Sequence, residues 1–284
     1  MRNKGLELEL GATVFKGNFN WNIAANISRN RNEITDLGGV EEQFANRLGA
    51  GYGLDAKPFI QKKGYSVGTV WGYVEDGIFQ NQKAVDDFKN IQLDAKLGQM
   101  RYKDLNDDGA INDLDRQKIG DVNPDYTWGF TNNFSFKNFD LSILVSGVHG
   151  NDVLNTNLMN FYTLNGSGNI PRYIYESTWK GEGSTNTVIQ ANQANVTASR
   201  FSRSFLEDGS YVRIKNIQLG YNVPKIKGIS NMRVYVNAVN LLTFTKYKGY
   251  DPEVSAFENA NMRGVDLGSY PQSRTVSIGA NVTF

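Results

Sequence analysis

The chain has 284 residues and a net charge of +1, from 30 Lys and Arg against 29 Asp and Glu, so it lacks the basic patch that nucleic-acid binding requires. Cysteine is absent and the only histidine is His149, which excludes disulfide frameworks, thiolate zinc sites, cysteine nucleophiles and two-histidine metal motifs. Mean hydropathy is −0.45 and no apolar run approaches the ~18 residues of a spanning helix, but a β-barrel, in which only alternate residues meet lipid, stays open.

The opening Met1-Arg2-Asn3-Lys4-Gly5 runs straight into LELEL without the apolar core of a signal peptide. For an exported protein, that predicts further sequence ahead of this chain. The first strand alternates Leu6, Leu8, Leu10, Ala12 and Val14 with Glu7, Glu9, Gly11 and Thr13. In the second, Phe19, Trp21, Ile23, Ala25 and Ile27 oppose Asn20, Asn22, Asn26 and Ser28. The third sets Tyr126, Trp128, Phe130, Phe134 and Phe136 on one face, broken by Asn132, and the fourth sets Phe139, Leu141, Ile143 and Val145 against Asp140, Ser142 and Ser146. Less regular strands follow near Tyr211–Val223 and 232–244. The last, 275–284, alternates Val276, Ile278, Ala280, Val282 and Phe284 with small neutral residues. A period of two with one apolar and one polar face is a strand between unlike surroundings. We read Phe284 as an assembly signal, because a final strand ending on an aromatic is what outer-membrane barrel assembly recognises. In all there are about seven strands, each near the ~9–11 residues of a tilted membrane strand.

The connections alternate in length. Residues 16–18, 137–138 and 224–231 are short, whereas 36–125, 149–210 and 245–274 are long, which places all short turns at one end of a barrel. Phe15, Phe19, Phe136, Phe139 and Tyr221 flank the short turns, where an interfacial aromatic girdle belongs. The segment YSVGTVWGYVEDGIF at 65–79 is strand-like but sits within the first long connection. A single extra spanning strand there would reverse the following turns, so we read it as loop structure. Val85, Phe88 and Ile91 beside it have the spacing of a short amphipathic helix. An odd strand number cannot close as a bacterial single-chain barrel, and it leaves open edges in lipid.

Residues 104–115, DLNDDGAINDLD, match the spacing of an EF-hand-type calcium loop. Oxygen ligands would come from Asp104, Asn106, Asp108, the Ala110 carbonyl, Asn112 and Asp115, with Gly109 at the sharp turn and Ile111 anchoring inward. Asp115 stands where the motif has Glu, a shorter ligand that requires further closure. An Asx-turn loop held by its own hydrogen bonds is the competing reading. No nucleophile–base arrangement is evident: His149 sits in GVHGND at a strand end, pairs such as Asp86-Asp87 read as solvated, and the glycine-rich 49–53 segment lacks the strand-to-helix context of a phosphate loop. The chain is therefore read as non-enzymatic.

Several long stretches resemble one family. NKGLELEL, VWGYVEDGIFQ, YKDLNDDGAINDLDRQKIGDVNPDYTWGFTNNFSFKNFDLSILVSGVHGND, LEDGSYVRIKNIQLGYNVP, VNAVNLLTFTKYKGYDPEV and GVDLGSYPQSRTVSIGANVTF are similar to the C-terminal part of SusC/RagA-type TonB-linked outer-membrane transporters. The resemblance implies an all-β chain: about seven antiparallel strands of a roughly 22-stranded transmembrane barrel with long extracellular loops, 1–284 lying after a plug domain and signal peptide outside this sequence. It implies import of oligosaccharides or peptides, TonB acting through the plug, a SusD-like surface lipoprotein as lid, and contact with the barrel-assembly machinery and membrane lipids. Asn20, Asn22, Asn26, Thr127, Thr131 and Asn133 would line the lumen, and Trp71 and Trp179 in the long loops would face ligand or lid. The competing architectures are a small complete barrel using 65–79 as an eighth strand, and a soluble calcium-dependent surface-binding module.

Overall fold

The computed structural model describes residues 1–45, 48, 56–162, 169–191, 200–224, 226–257 and 260–284; the glycine-rich 49–53 segment lies outside them. Seven strands form one sheet: β1 (Arg2–Phe15), β2 (Phe19–Glu33), β3 (Tyr126–Phe136), β4 (Phe139–His149), β5 (Tyr211–Val223), β6 (Asn231–Thr245) and β7 (Thr275–Thr283). Each pairs antiparallel with its neighbour in chain order. The sheet does not close on itself, since β1 and β7 stand at its two ends. Residues 65–79 take no place in it, which removes the eight-stranded alternative.

Register carries the alternation across the sheet. Trp21, Phe134, Leu141, Leu219, Val236 and Ile278 form one cross-strand row on the apolar face. Because the side-chain period is two, a one-residue slip in any pair would turn a whole strand's apolar set to the opposite side. β1, β2, β5 and β6 run to 14, 15, 13 and 15 residues, longer than the membrane crossing expected from sequence. The excess of the first pair lies beyond the apolar band: Arg2 pairs with Glu33 at the end where the long connections emerge. At the short-turn end the aromatics gather into contacts, with Phe15 and Phe19 at 6.2 Å, Trp21 and Phe134 at 5.6 Å, and Phe139 and Tyr221 at 4.7 Å between ring centroids.

Among the described residues, every buried apolar side chain except Tyr211 and Ile34, which follows directly on β2, lies in the long connections, while Leu6, Leu10, Phe139, Phe244 and Ile278 on the wall are exposed. The wall has no apolar core of its own and needs an apolar solvent. The three long connections share one core, in which Phe59, Val70 and Tyr102 of the first meet Leu154, Met159 and Trp179 of the second and Met262 and Val265 of the third. Small sheets frame it. One joins Glu42–Phe44, Phe59–Lys62, Thr69–Tyr73 and Arg116–Asp121, and another runs Asp152–Asn155 between Leu206–Asp208 and Val265–Asp266. Helix α1 (Gln82–Phe88) is capped by the Asn81 side chain, which accepts from Ala84 N at 3.0 Å. It buries Val85 and sets Phe88 against Phe79 at 5.9 Å, as the helical spacing anticipates.

Asn132 is the polar break in the apolar face of β3, between Ile23 and Ile143. Its Oδ1 accepts from Trp21 Nε1–H at 3.1 Å, so the indole N–H and the amide oxygen satisfy one another. Replacing Asn132 with Leu leaves the indole N–H unpaired and should cost about 1 kcal/mol, while adding Trp21→Phe should recover most of it. A double-mutant cycle by urea unfolding in lipid vesicles measures this. Strictly additive losses would show that the bond contributes nothing.

Candidate ligand-facing surfaces of wall and loops

The polar face of the sheet is ordered by the same register. Asn22, Asn133, Ser142, Gln218, Asn237 and Ser277 form a neutral row across six strands. Around it, Thr13 Oγ1–H donates to Asn22 Oδ1 at 2.8 Å, Asn20 Nδ2 to Ser135 Oγ at 3.2 Å, and Asn216 Nδ2 to Asn237 Oδ1 at 2.9 Å. Arg233 on β6 reaches over β5 to Asp140 on β4, Nε at 3.0 Å and Nη2 at 2.5 Å. Amides and hydroxyls both donate and accept, so this face can exchange hydrogen bonds with a hydrated solute without fixing a charge. Asn20, Asn22, Asn26, Thr127, Thr131 and Asn133 all lie on it, as the alternation anticipates.

A second polar cluster escaped the sequence reading. A β-bulge at Lys215 interrupts the pairing of β5 with both neighbours and brings Lys215 alongside Arg213. Arg213 is 1% exposed. Its guanidinium donates to Asp251 at 2.6 Å, Glu253 at 2.8 Å and Thr243 Oγ1 at 2.9 Å, and Lys215 binds the same Glu253 carboxylate at 2.8 Å. Asp251 also accepts from Glu253 N and Gln272 N. The third long connection is thus pinned to the wall by a charge cluster whose central pair, Arg213 and Asp251, is buried. Its only sequence trace is the pair of cations in YVRIKN, and nothing in the sequence names their partners.

Trp71, on the Thr69–Tyr73 strand, is half-buried, with Lys62 Nζ 5.3 Å over its ring and Tyr65 edge-on at 5.7 Å. Trp179 is 6% exposed and donates its indole N–H to Gln80 Oε1 at 3.0 Å, so in this chain it packs the loop core. Tyr73 lies between the guanidiniums of Arg116 and Arg200. Burial and the Asp113 carboxylate, to which it donates at 3.1 Å, push its hydroxyl up to about 12.

In the acidic loop, Asp104 accepts from Asp108 N at 3.3 Å and Gly109 N at 2.8 Å. The turn falls at Gly109, whose φ of 81° suits the residue without a Cβ. Asn106 Nδ2 and Asn112 Nδ2 both donate to Asp108 Oδ2, at 2.9 and 3.1 Å, and Asn112 also reaches the Ala110 carbonyl at 3.2 Å. The Asn106 and Asn112 amides hold the Asp108 carboxyl below its usual range. Asp115 is buried and gives its two oxygens to Leu105 N and Asn112 N at 2.8 and 2.7 Å. Among the described residues, no three acidic or histidine side chains form a group that could hold a metal as they stand. Amide donors occupy the point on which Asp108, Ala110 and Asn112 converge. His149, at the rim of the wall, stacks on Tyr126 at 4.9 Å.

If the charge cluster pins the third connection, Arg213→Met should free it, with a local loss of roughly 3 kcal/mol. Hydrogen exchange of residues 246–257 reads this directly, and unchanged protection there would mean that the cluster is ornamental.

No family model matches the chain. Across its whole length it is 33% identical to the TonB-dependent receptor P3 of Formosa agariphila, of which it spans 29%. It is also 27% identical to the TonB-dependent receptor SusC of Bacteroides thetaiotaomicron, of which it spans 26%. The solved RagAB peptide transporter superposes on 99% of the chain with a TM-score of 0.74 and 25% identity, the match covering 29% of that chain. The chain therefore spans less than a third of the length of the relatives it matches.

Proposed function

This chain belongs to the SusC/RagA type of TonB-dependent receptors, and we propose that it forms an arc of the barrel wall of an outer-membrane importer for oligosaccharides or peptides. The observation that carries this reading is the seven-stranded sheet itself, apolar across one face and amide-lined across the other, with an edge strand at each end. In lipid, unpaired strand edges are costly, so in this reading β1 and β7 pair with further strands of the same receptor. The amide row lines the lumen and gives a hydrated substrate replaceable hydrogen bonds along its path. The loop body rises from the extracellular rim, where a SusD-like lipoprotein would seat, and the half-buried Trp71 would offer ligand the part of its ring left open. TonB would act through a plug, and Phe284, 88% exposed, would serve in assembly. No step of this role calls for catalysis by these residues.

The test is growth of the host on single glycans and peptides as sole nutrient, with the receptor intact, deleted, or carrying Asn133→Leu with Asn237→Leu. Deletion should abolish growth on one class of nutrient, and the double variant should slow uptake several-fold by replacing two members of the row with apolar side chains. Trp71→Ala should weaken uptake of the same nutrient. Undiminished growth of the deletion strain on every nutrient would remove the transport assignment.

For the acidic loop we propose a structural calcium site completed by rotation of the Asn106 and Asn112 amides, so that oxygens replace the donors now facing Asp108. Isothermal titration of calcium into the receptor should give a heat that Asp104→Ala with Asp108→Ala removes. Superimposable flat traces would leave the loop as a hydrogen-bonded brace.

A further inference from the structure

The apolar face ends abruptly toward the long connections. Its last fully apolar row is Ile27, Trp128, Gly147, Val212 and Phe244, in register across β2 to β6. One row further out stand Arg29, Tyr126 and His149 on the same face, and Lys246 just past the end of β6. Two of those four are cations, Arg29 and Lys246, in a chain whose total charge is only +1.

Gly147 lets the neighbouring Trp128 ring lie flat across the last apolar row. It has no side chain, and the Trp128 ring lies across the space that one would fill; a Cβ there would come within 2.4 Å of Trp128 Nε1. Beside that ring lies an open groove of about 470 Å³, with Trp128, Val212 and Phe244 at its apolar side and His149, Asp208 and Lys246 at its polar side. Asp208 lies within electrostatic range of both His149 and Lys246, and its Oδ1 accepts from Ser210 N at 2.9 Å. Phe244 is 59% exposed.

We infer that this groove binds a phosphorylated glycolipid of the outer leaflet, with an acyl chain on Trp128, Val212 and Phe244 and a headgroup phosphate between His149 and Lys246. Charge and polarity select this occupant. The Lys246 ammonium attracts phosphate and the His149 imidazole can donate a hydrogen bond to it, while the neighbouring Asp208 suits the hydroxyls or amide of a phosphorylated sugar and disfavours a bare anion. The aromatic floor below a cationic row is the arrangement expected where the acyl region meets headgroups. The inference rests on the outer-membrane reading above, because it needs this face to meet lipid.

The test uses the intact receptor purified in mild detergent. Its migration with and without heating reports a folded barrel, and native mass spectrometry reports retained bis-phosphorylated lipid A against its dephosphorylated form. The wild-type receptor should retain the phosphorylated form selectively. His149→Gln with Lys246→Gln should lower its retention about tenfold with heat-dependent migration unchanged, and Gly147→Val should lower retention of both forms by pushing the Trp128 ring out of its place beside the groove. Equal retention by wild-type and variant receptors, or displacement by millimolar inorganic phosphate alone, would overturn the inference while leaving the barrel intact. A receptor whose migration is the same heated and unheated would instead overturn the barrel reading, and the lipid site with it.

Discussion

Strand pairing in a solvent that cannot hydrogen-bond is the constraint on which the molecule depends. Inside lipid each backbone N–H and C=O must find its partner on a neighbouring strand, and with a side-chain period of two that pairing also decides which residues meet lipid. The six antiparallel pairings hold this register from β1 to β7. Every property of the wall follows from it: the outward apolar rows, the inward amide row and the gathering of aromatics at the short turns. Asn132 shows how narrow the margin is, since the one polar residue within the apolar band is answered by a neighbouring indole.

Wall and loops solve the burial problem in opposite ways. The loops fold around an apolar core with Phe59, Leu154, Trp179 and Val265 inside, whereas the wall turns its apolar residues outward. Average composition therefore hides both, and a mean hydropathy of −0.45 describes neither part. The buried cluster at Arg213 is the seam between them. There a bulge in β5 turns two cations toward Asp251 and Glu253 of the third connection.

The strands were legible because alternation is local. Two residues apart on one strand suffice to show a face, and Leu6 through Val14 or Val276 through Phe284 display it without reference to any partner. The exclusion of 65–79 from the wall was also legible, from turn polarity alone. What could not be read were contacts between distant segments. Trp179 meets Gln80 across 99 residues and Arg213 meets Asp251 across 38, and no short-range pattern marks either pair. The acidic loop was legible as a turn, down to Gly109. Its spacing alone could not say whether Asn106 and Asn112 present oxygen or nitrogen to the centre. The long first strands were underestimated because their outer thirds lie beyond the lipid-facing pattern used to count them.

The two-residue strand Val265–Asp266 is the smallest element of the loop body, yet it lies parallel to Asp152–Asn155 and joins the third connection to the second. The first connection joins the second where Tyr73 bridges Ser202. The three connections are therefore laced side to side above the wall, and their roots are the outer ends of β2 to β7. Such lacing acts as a hoop on this arc, fixing the splay of six strands at one curvature. A passage of variable width would then have to gain its extra room from staves outside this arc.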